Sequence, residues 1–382
     1  MGVYLDYNAS TPIDERVLDT MVEIYRNHFG NADSRTHQFG SDAKKVVENA
    51  RRQLGDLLGI SSELVYFTSG STESNNMAVL GIESYGRSSG KNHIITTAIE
   101  HKSILEPCIQ LENRGFEVEY IRPHEDGRVH TEDILNKVRS DTLLVSVMHV
   151  NNETGTIQPT YEIGEALSGK EVYFHIDASQ SCGKLVEELR KQSYDILSLS
   201  AHKMYGPQGV GALVIKNKNG KKSALKPIMY GGGQERDMRP GTLPVALIGG
   251  IGEAAMLLSN EYRDNQKKYK ANQKMILDVL ANSGVQYQIN GDLALGMDNT
   301  LNISFNNYDS EALMLAVQEE ALVGISNGSA CTSHSYAPSY VLQAMGLDEQ
   351  RVASAVRISW GKEPIDRKFI KKITEIVRAW QR

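Results

Sequence analysis

The sequence predicts an α/β protein with two domains: a large one built on a mostly parallel seven-stranded sheet, and a smaller α+β domain at the carboxyl end. Seven short apolar runs in the first two thirds of the chain alternate with helical patterns of about ten or more residues. This alternation is typical of a parallel sheet that is covered on both faces. With 382 residues, the chain is also long enough to bury two substantial cores.

The predicted strands cover residues 64–68, 93–97, 116–121, 143–150, 172–177, 196–200 and 211–215. In a sheet of this kind, ligands bind at the carboxyl ends of the strands. Polar or glycine-containing motifs follow several of these runs. We therefore expect the functional site at that edge of the sheet.

The second unit follows a long helical stretch, residues 248–283, that is rich in Lys, Glu and Gln. Its predicted elements are a strand at 300–305, a helix at 310–320, the segment around Cys331, a helix at 338–345, a strand at 356–360 and a closing helix from Pro364. We therefore predict a large domain at 1–250 and a small one at 251–382, with the N-terminal segment 1–15 packing on the small domain.

Composition narrows the classes of partner. The 41 basic and 47 acidic residues give a net charge of −6. This charge disfavours binding of nucleic acid through the overall charge of the chain. The first residues show no basic region followed by an apolar core, and no window reaches about 18 uncharged apolar residues. We therefore expect a soluble, cytoplasmic protein that contacts neither membrane nor, directly, nucleic acid.

Lys203 and Asp177 each stand at the end of a predicted strand. Lys203 follows the run 196–200 and enters a glycine-rich loop, where desolvation favours the neutral amine and suits Schiff-base chemistry with an aldehyde. Asp177 ends the run 172–177 and can contact a pyridinium nitrogen. Pyridoxal 5'-phosphate requires these two protein groups. The alternative for Asp177 is a helix N-cap after the strand.

These motifs, with others in the same order, resemble the class V branch of fold-type-I pyridoxal-phosphate enzymes, and within it the NifS/IscS-like cysteine desulfurases. The runs that carry the resemblance lie at 5–12, 67–76, 100–103, 150–155, 177–180, 200–203, 231–235, 239–242 and 328–333. They extend over nearly the whole chain. The resemblance implies a fold-type-I enzyme whose large domain binds pyridoxal 5'-phosphate.

The run 68–73 supplies hydroxyls and backbone donors at a predicted helix start, where Gly70 permits a tight turn toward an anion. An ordinary serine-threonine cap, with Glu73 in the first turn, is the alternative. The resemblance implies a cofactor phosphate there, and it implies these ligands: Ser71, Thr72, Ser200 and His202 from one subunit, and Thr242 from its partner. A homodimer is therefore expected.

Three more residues are assigned to the ring and the substrate by the resemblance. His101 stacks on the pyridine ring and transfers protons, whereas a lone histidine at this position would otherwise be read as a cap or packing residue. Gln180 bonds the ring oxygen, and Asn152 the substrate end of the cofactor. Amide side chains suit these roles because they donate and accept hydrogen bonds without carrying a charge.

Arg357 lies inside an apolar strand pattern, so it needs a partner. A substrate α-carboxylate offers a bidentate one, and the resemblance favours that role. The alternative is an internal salt bridge with one of the 47 acidic residues.

The three cysteines are too few and too scattered for a disulfide framework or a closed metal site. Cys108 and Cys182 are predicted to pack in the interior. Cys331 lies in a small, polar stretch, residues 326–335, with the composition of a mobile surface loop. An exposed thiol there can form a thiolate and attack sulfur.

The resemblance then implies a complete reaction. L-cysteine binds with its carboxylate on Arg357, and Lys203, helped by His101, moves the α-proton. The Cys331 thiolate attacks the substrate sulfur. The products are L-alanine and a persulfide on Cys331, which passes the sulfur to an acceptor protein or thiol.

Two features bear on the sulfur acceptor. His334 and Tyr336 follow the nucleophile where relatives often carry small and acidic residues, and the chain ends at Arg382 without the longer tail that docks iron-sulfur scaffolds. The acceptor therefore stays open between an iron-sulfur scaffold or thiolation protein and a protein of DNA phosphorothioate modification.

Other functions share parts of this pattern. A class V aminotransferase or a selenocysteine lyase would use Lys203 and Asp177, but an aminotransferase has no need of Cys331 and would release a keto acid. A non-enzymatic sulfur-carrier or scaffold-binding protein would not act on free cysteine. A nucleic-acid-binding module lacks support, because the chain has no basic stretch interleaved with aromatic residues.

Overall fold

The computed structural model describes residues 2–218, 220, 223–306, 308–328 and 338–380. Within these residues the chain forms twelve strands, thirteen α-helices and four short 3-10 helices. The strands are β1 (Val3–Tyr4), β2 (Val65–Thr68), β3 (His93–Thr97), β4 (Glu117–Ile121), β5 (Thr142–Met148), β6 (Tyr173–Asp177), β7 (Ile196–Ser200), β8 (Gly211–Ile215), β9 (Tyr287–Ile289), β10 (Thr300–Phe305), β11 (Val323–Gly324) and β12 (Ala355–Ser359).

The helices are α1 (Glu15–Asn27), α2 (Gln38–Leu58), α3 (Ser71–Gly81), α4 (Glu83–Ser89), α5 (Lys102–Glu112), α6 (Thr131–Leu135), α7 (Thr160–Leu167), α8 (Val186–Lys191), α9 (Val245–Ala281), α10 (Ser310–Ala321), α11 (Tyr340–Ala344), α12 (Glu349–Ala353) and α13 (Arg367–Trp380). None of the described helices combines the length and apolar character needed to cross a membrane.

Seven strands form one sheet in the order β2-β8-β7-β6-β5-β3-β4. Strand β8 runs antiparallel to its two neighbours, β2 and β7, whereas the other neighbouring pairs are parallel. The predicted α/β class with a mostly parallel seven-stranded sheet is therefore confirmed. Each predicted run matches its strand to within two residues at either end.

Both faces of this sheet are buried, because successive residues of its strands point into two different cores. Ile95 and Leu197 pack in one core, which includes side chains of α1, α2 and α9. Ile94 and Ile196 pack in the other, which includes side chains of α3 and α5. Burial on both faces explains why the runs are continuously apolar rather than alternating.

The second unit contains a three-stranded antiparallel sheet in the order β12-β10-β9. Its core includes Trp360 and Tyr269, two of the largest fully buried side chains. Tyr269 lies on α9, and Tyr262 of the same helix packs in the core of the large sheet. One helix thus joins both cores across residue 250, and the predicted domain boundary there stays a prediction.

The N-terminal segment contacts both units. Strand β1 pairs in parallel with β11 of the second unit, and Leu5 is buried in the smaller core. Tyr7 is buried in the larger core. Asp6, between them, forms an isolated bridge with Ser359. The segment therefore ties the end of β12 to the large sheet.

The sequence does not reveal several short elements. Strands β1, β9 and β11 have only two or three residues each, too few to display a period. The helix predicted at 338–345 begins later, at Tyr340, because Ser339 is its N-cap and its Oγ accepts a hydrogen bond from Leu342 N at 3.1 Å.

Candidate active site

A close contact between two glycines brings the ends of β2 and β7 together. A Cβ atom on Gly211 would lie 2.5 Å from the carbonyl oxygen of Leu199 and 2.7 Å from the Cα atom of Gly70, so any side chain there would clash. Gly70 follows β2, and Leu199 lies in β7. The contact therefore packs the loop after β2 against the end of β7.

Asp177 is the last residue of β6 and is 5% exposed. Its Oδ1 accepts hydrogen bonds from Ser179 N at 2.9 Å and from Ser179 Oγ at 2.5 Å, and its Oδ2 accepts one from Asn75 Nδ2 at 2.8 Å. Burial alone would raise the pKa of this carboxyl group, but the hydrogen bonds outweigh it and hold the pKa below its ordinary value. Asp177 is therefore a buried anion suited to a protonated ring nitrogen.

The N-cap alternative for Asp177 does not occur. Residues 179–184 form turns, and the next helix, α8, begins only at Val186. The carboxylate of Asp177 is held by a local turn at Ser179 instead.

A chain of hydrogen bonds joins Asp177 to His101. Asn75 Nδ2 also donates to Ser103 Oγ at 2.8 Å, and Ser103 Oγ lies 2.8 Å from His101 Nδ1. His101 Nδ1 accepts from Ser103 N at 3.1 Å as the N-cap of α5, so the capping role is present as well. Burial, aided by the charge of Lys203, lowers the pKa of His101. The neutral form of the imidazole is therefore favoured.

Lys203 ends a short 3-10 turn, Ala201–Lys203, that directly follows β7. The turn is fixed by Thr11, whose N and Oγ1 donate to the carbonyl oxygen of His202 at 2.8 and 3.0 Å. Burial lowers the pKa of His202 to about 4, and the charges of Lys203 and Lys184 add to the effect. His202 is therefore a neutral hydrogen-bonding group beside the lysine.

The first turn of α3 and Ser200 lie side by side and are called the cradle below. The helix begins at Ser71 with Gly70 as its N-cap, which offers no side-chain hydrogen bond to the first-turn N–H groups. The position of a Cβ atom on Gly70 lies 3.7 Å from Ser200 Oγ. Since no cap occupies these donors, the serine-threonine cap that the sequence offers as an alternative is absent, and the cradle suits a phosphate.

Glu73 braces this cradle from the first turn of α3. Its Oε2 accepts from Ser69 N at 2.6 Å, and its Oε1 accepts from Arg239 Nε at 2.8 Å. Burial opposes ionisation, but the hydrogen bonds from Arg239 and Ser69 lower the pKa of Glu73. The guanidinium of Arg239 therefore balances the negative charge of Glu73 next to the cradle.

Arg357 lies on β12 and is 3% exposed. Its Nη1 donates to the carbonyl oxygen of Asn152 at 2.8 Å, and its Nη2 donates to Asp6 Oδ1 at 2.6 Å. The internal salt bridge that the sequence offers as an alternative thus exists, with Asp6 as the acid. Two buried atoms, Arg357 Nε and Asn152 Oδ1, have no hydrogen-bond partner among the described residues.

Gln180 is buried next to a second lysine. Its Nε2 donates to the carbonyl oxygen of Asn8 at 2.9 Å, and its Oε1 lies 3.5 Å from Lys184 Nζ. Burial, with the neighbouring charge of Lys203, lowers the pKa of Lys184 to about 7. An amide nitrogen carries two donors, so Gln180 can bond Asn8 and a ligand oxygen together.

Of the remaining predicted site residues, Thr242 is not part of this cluster and Cys331 is not described. Cys331 lies outside the described residues, in the interval 329–337. Thr242 is described and exposed. It follows Gly241, whose N donates to Gln234 Oε1 at 2.9 Å. Thr72, in the cradle, is also exposed.

The residues present fit pyridoxal 5'-phosphate. Asp177 is a buried anion at the end of β6, and Lys203 follows the neighbouring strand, β7. The first turn of α3 offers uncapped N–H donors. The unpartnered buried atoms of Arg357 and Asn152 leave hydrogen-bonding capacity for a carboxylate-bearing ligand.

Sequence reasoning assigns no role to several residues that complete the site: Asn75, Ser103, Ser179, Asp6, Asn8 and Lys184. Asn75 could have been found from the sequence, because it lies one helical turn after Ser71 and therefore on the same face of the helix. Asp6 had none, since its contact with Arg357 spans 351 residues of sequence.

The chain is similar to known proteins over almost its whole length. Residues 3–363 match the family described as Aminotransferase class-V. Cysteine desulfurase IscS of Pasteurella multocida is 43% identical over 392 aligned positions, which cover 100% of this chain and 95% of that protein. A solved NifS-like protein has a TM-score of 0.90 at 35% identity, covering 99% of this chain and 100% of that one. DndA from Streptomyces lividans has a TM-score of 0.81 at 42% identity, covering 94% and 99%.

Proposed function

This chain belongs to the class-V aminotransferase family and is a pyridoxal-phosphate-dependent cysteine desulfurase, and we propose that Cys331 is the thiol that receives the sulfur of L-cysteine. The observation that carries the assignment of the site is the pair Asp177 and Lys203 at the ends of neighbouring strands. A buried chain of hydrogen bonds runs from Asp177 to His101 beside them.

Pyridoxal phosphate, when bound, supplies an aldehyde that takes up an amino group and a ring that accepts electrons from the adjacent carbon. The buried anion Asp177 would hold the ring nitrogen in its protonated form, and Gln180 would donate to the ring oxygen. His101 would lie against the ring, and Lys203 would bond the aldehyde. The phosphate would be held by Ser71, Thr72, Ser200 and His202, together with the N–H groups at the start of α3.

Arg357 and Asn152 bind the α-carboxylate of the substrate in this proposal. Nη1 and Nη2 of Arg357 are held by Asn152 and Asp6, so the plane of the guanidinium is fixed before substrate arrives. Its Nε atom has no partner within the described part of the chain. A carboxylate there would satisfy a buried donor, which favours binding.

Lys203 and His101 move protons at the α-carbon of L-cysteine. His101 is neutral, because burial lowers its pKa, and a neutral imidazole can accept a proton. Lys203 follows the strand end directly and is braced by Thr11 through the carbonyl group of the preceding residue. Both groups are therefore held in place on short, rigid connections.

The thiolate of Cys331 then attacks the sulfur atom of L-cysteine. A sulfur–sulfur bond forms, the carbon–sulfur bond of the substrate breaks, and its electron pair stays with the carbon, which takes up a proton to give L-alanine. The sulfur becomes the outer atom of a persulfide on Cys331, so the step needs no external oxidant. A thiol or a thiol-bearing acceptor protein removes that sulfur by exchange.

The active form in this proposal is a homodimer in which Thr242 completes the phosphate site of the partner subunit. Thr242 is exposed, as are Phe29 and Phe39, whose rings stack 5.6 Å apart. Gln234 Nε2 donates to Asp33 Oδ2 at 2.9 Å, so the segments that carry these residues meet on one surface. Exposed aromatic side chains are enriched where proteins associate. Sedimentation at micromolar concentration tests this, and a monomer would contradict it.

The sulfur acceptor is proposed to be a cytoplasmic protein thiol. Iron-sulfur cluster assembly, thiolation and DNA phosphorothioate modification are all compatible with that chemistry. The 43% identity to the IscS relative and the 42% identity to DndA do not separate the alternatives. Capture of the acceptor by a labelled persulfide in an extract of the native host would identify it.

The experiment that tests the proposed function measures alanine and sulfide together. Protein loaded with pyridoxal phosphate is incubated with L-cysteine and dithiothreitol, beside Cys331→Ala and the matched control Cys182→Ala. Equal amounts of both products in the wild type and the control, lost in Cys331→Ala, are expected. Undiminished activity in Cys331→Ala would overturn the role of Cys331, and a keto-acid product would indicate an aminotransferase.

A further inference from the structure

Glu153 is a buried carboxyl group that has no part in the reaction proposed above. It is 1% exposed and follows Asn152 in the loop after β5. Burial raises its pKa, against the opposing effects of a hydrogen bond from Ser339 and the charge of Arg357. Burial of a carboxyl group costs free energy unless hydrogen bonds or opposite charges compensate it.

Glu153 contacts both ends of the interval that contains Cys331. On one side, a Cβ atom on Gly328 would lie 2.8 Å from Glu153 Oε2 and 3.0 Å from its Cδ atom, so the backbone of Gly328 packs against the carboxyl group. On the other side, Ser339 Oγ donates to the same Oε2 atom. Ten residues, 329–338, separate these two contacts, and both contacts involve one carboxyl group.

The same region holds the residue proposed to bind the substrate carboxylate. Ser326 and Arg357 form an antiparallel bridge, with Arg357 N donating to Ser326 O at 2.5 Å and Ser326 N donating to Arg357 O at 3.2 Å. Arg357 Nη1 also donates to the carbonyl oxygen of Asn152, the neighbour of Glu153. Arg357, which is proposed to bind the substrate carboxylate, and the segment that leads from Ser326 to Gly328 therefore belong to one hydrogen-bonded unit.

Glu153 is itself fixed in place from two sides. Its N donates to Asn151 Oδ1 at 2.9 Å, and its carbonyl oxygen accepts from Asn302 Nδ2 of β10 at 3.2 Å. Ser339, in turn, caps α11 through Leu342 N. The backbone of Glu153 is therefore fixed by hydrogen bonds, and its carboxyl group is hydrogen-bonded to the residue that caps α11. Both ends of the side chain are held in place.

We propose that Glu153 is a positioning residue for the desulfurase reaction, which holds Gly328 and Ser339 so that the thiol carried between them reaches the sulfur of a substrate bound by Arg357. This inference rests on the proposed role of Cys331. Glu153 contacts neither the substrate nor the cofactor in this scheme. It acts through the two ends that it joins.

The test uses the holoenzyme and compares Ser339→Ala and Glu153→Leu with the wild type, with Ser283→Ala as a matched control. Ser283 is a similarly buried serine of the second unit, whose Oγ donates to Leu280 O at 2.7 Å. Ser339→Ala removes the donor to Glu153 together with the N-cap of α11 but keeps the carboxyl group, so it remains informative where Glu153→Leu fails to fold. The control is matched in this respect, because Ser283 Oγ also accepts a hydrogen bond, from Val285 N at 3.1 Å. Two quantities are measured: alanine formation at saturating L-cysteine, and the rate at which iodoacetamide alkylates Cys331, followed by peptide mass spectrometry.

The expected result is that alanine formation falls about tenfold in Ser339→Ala, the effect of losing one hydrogen bond to a carboxyl group, while alkylation of Cys331 becomes faster. The absorbance of the bound cofactor and the KM for L-cysteine stay unchanged. Wild-type alanine formation in Ser339→Ala would overturn the proposal. So would a fall in alanine formation without faster alkylation, because the loss would then arise at the cofactor.

The Cys331→Ala variant separates this inference from the proposed function. If Cys331→Ala loses desulfurase activity while Ser339→Ala keeps it, only the role of Glu153 is wrong. If Cys331→Ala retains full activity, the proposed function itself is wrong, whatever the other variants do.

Discussion

Arg357 and Asp6 form an ion pair, with Nη2 2.6 Å from Oδ1, that joins β12 to the N-terminal segment; the arginine is buried and the aspartate half-buried. Sequence alone leaves two kinds of partner open for this arginine, a substrate carboxylate or an internal one. In the structure the internal carboxylate holds one end of the guanidinium. Nε is a buried donor with no partner in the described ranges.

Replacing Asp6 is expected to destabilise the protein. Asp6→Asn removes the ion-pair partner of Arg357, which is 3% exposed, and this costs about 3 kcal/mol of unfolding free energy. Urea denaturation of the purified variant measures the loss. The control is Asp309→Asn, an exposed N-cap of α10 where asparagine caps equally well. Equal stability of the two variants would contradict the ion pair.

Asp177→Asn is expected to lower alanine formation by about 1,000-fold, because a neutral amide cannot hold a protonated ring nitrogen against the low dielectric of the site. The variant should still bind pyridoxal phosphate through Lys203 and the cradle, as measured by its absorbance. Asp195→Asn is the matched control. Asp195 precedes β7 at the opposite edge of the sheet, where its Oδ2 accepts from Phe174 N at 2.9 Å. Comparable losses in both variants would contradict the assignment.

Glu100 is expected to make stability fall as pH rises. Burial raises its pKa to about 8, although hydrogen bonds from Thr97 Oγ1 and Met148 N to Oε1 oppose the shift. The folded protein therefore keeps a proton on Glu100 at pH values where the unfolded chain, with an ordinary carboxyl pKa, has lost it. Unfolding releases that proton, so unfolding free energy decreases from about pH 4.5 to pH 8, by up to about 1.4 kcal/mol per pH unit.

Glu100→Gln isolates this contribution, because glutamine is uncharged at every pH. The measurement is the unfolding free energy of both proteins in urea at several pH values. The wild type should lose stability relative to Glu100→Gln as pH rises to 8, and above that the difference should level off. A difference that is independent of pH would show that Glu100 is ionised in the folded protein.

The two described cysteines are expected to resist alkylation. Cys108 and Cys182 are 0% and 1% exposed, and burial raises the pKa of each thiol to about 12. In the native protein iodoacetamide should therefore modify Cys331 alone, and Cys331→Ala should stay unmodified until urea is added. Intact-protein mass spectrometry counts the labels. Labelling of Cys108 in the folded protein would contradict its burial.

The large sheet could be predicted closely from the sequence because its strands are buried on both faces. Strands β3, β7 and β8 coincide with the predicted runs at both ends. Burial on both faces requires apolar side chains at successive positions of a strand, so each strand can be recognised from its own residues. The two-residue strands β1 and β11 depend on pairing between distant segments, and two residues cannot display a period.

The site could be predicted only in part. Lys203 and Asp177 could be predicted as site residues because each stands at the end of a predicted strand. Asn75 and Ser103 were missed, since their roles arise from contacts between the side chains of α3 and α5. The partner of Arg357 was one of 47 acidic residues, and nothing in the local sequence distinguishes Asp6 from the others.

The most direct test of the central claim is a single turnover without reductant, followed by mass spectrometry of the peptide that contains Cys331. Holoenzyme is mixed with a small excess of L-cysteine and quenched with iodoacetamide, and free alanine is measured in the same sample. The account predicts one alanine per active subunit and a Cys331 peptide that carries one additional sulfur atom, with no such addition on Cys108 or Cys182. Alanine released while Cys331 carries no extra sulfur would contradict it.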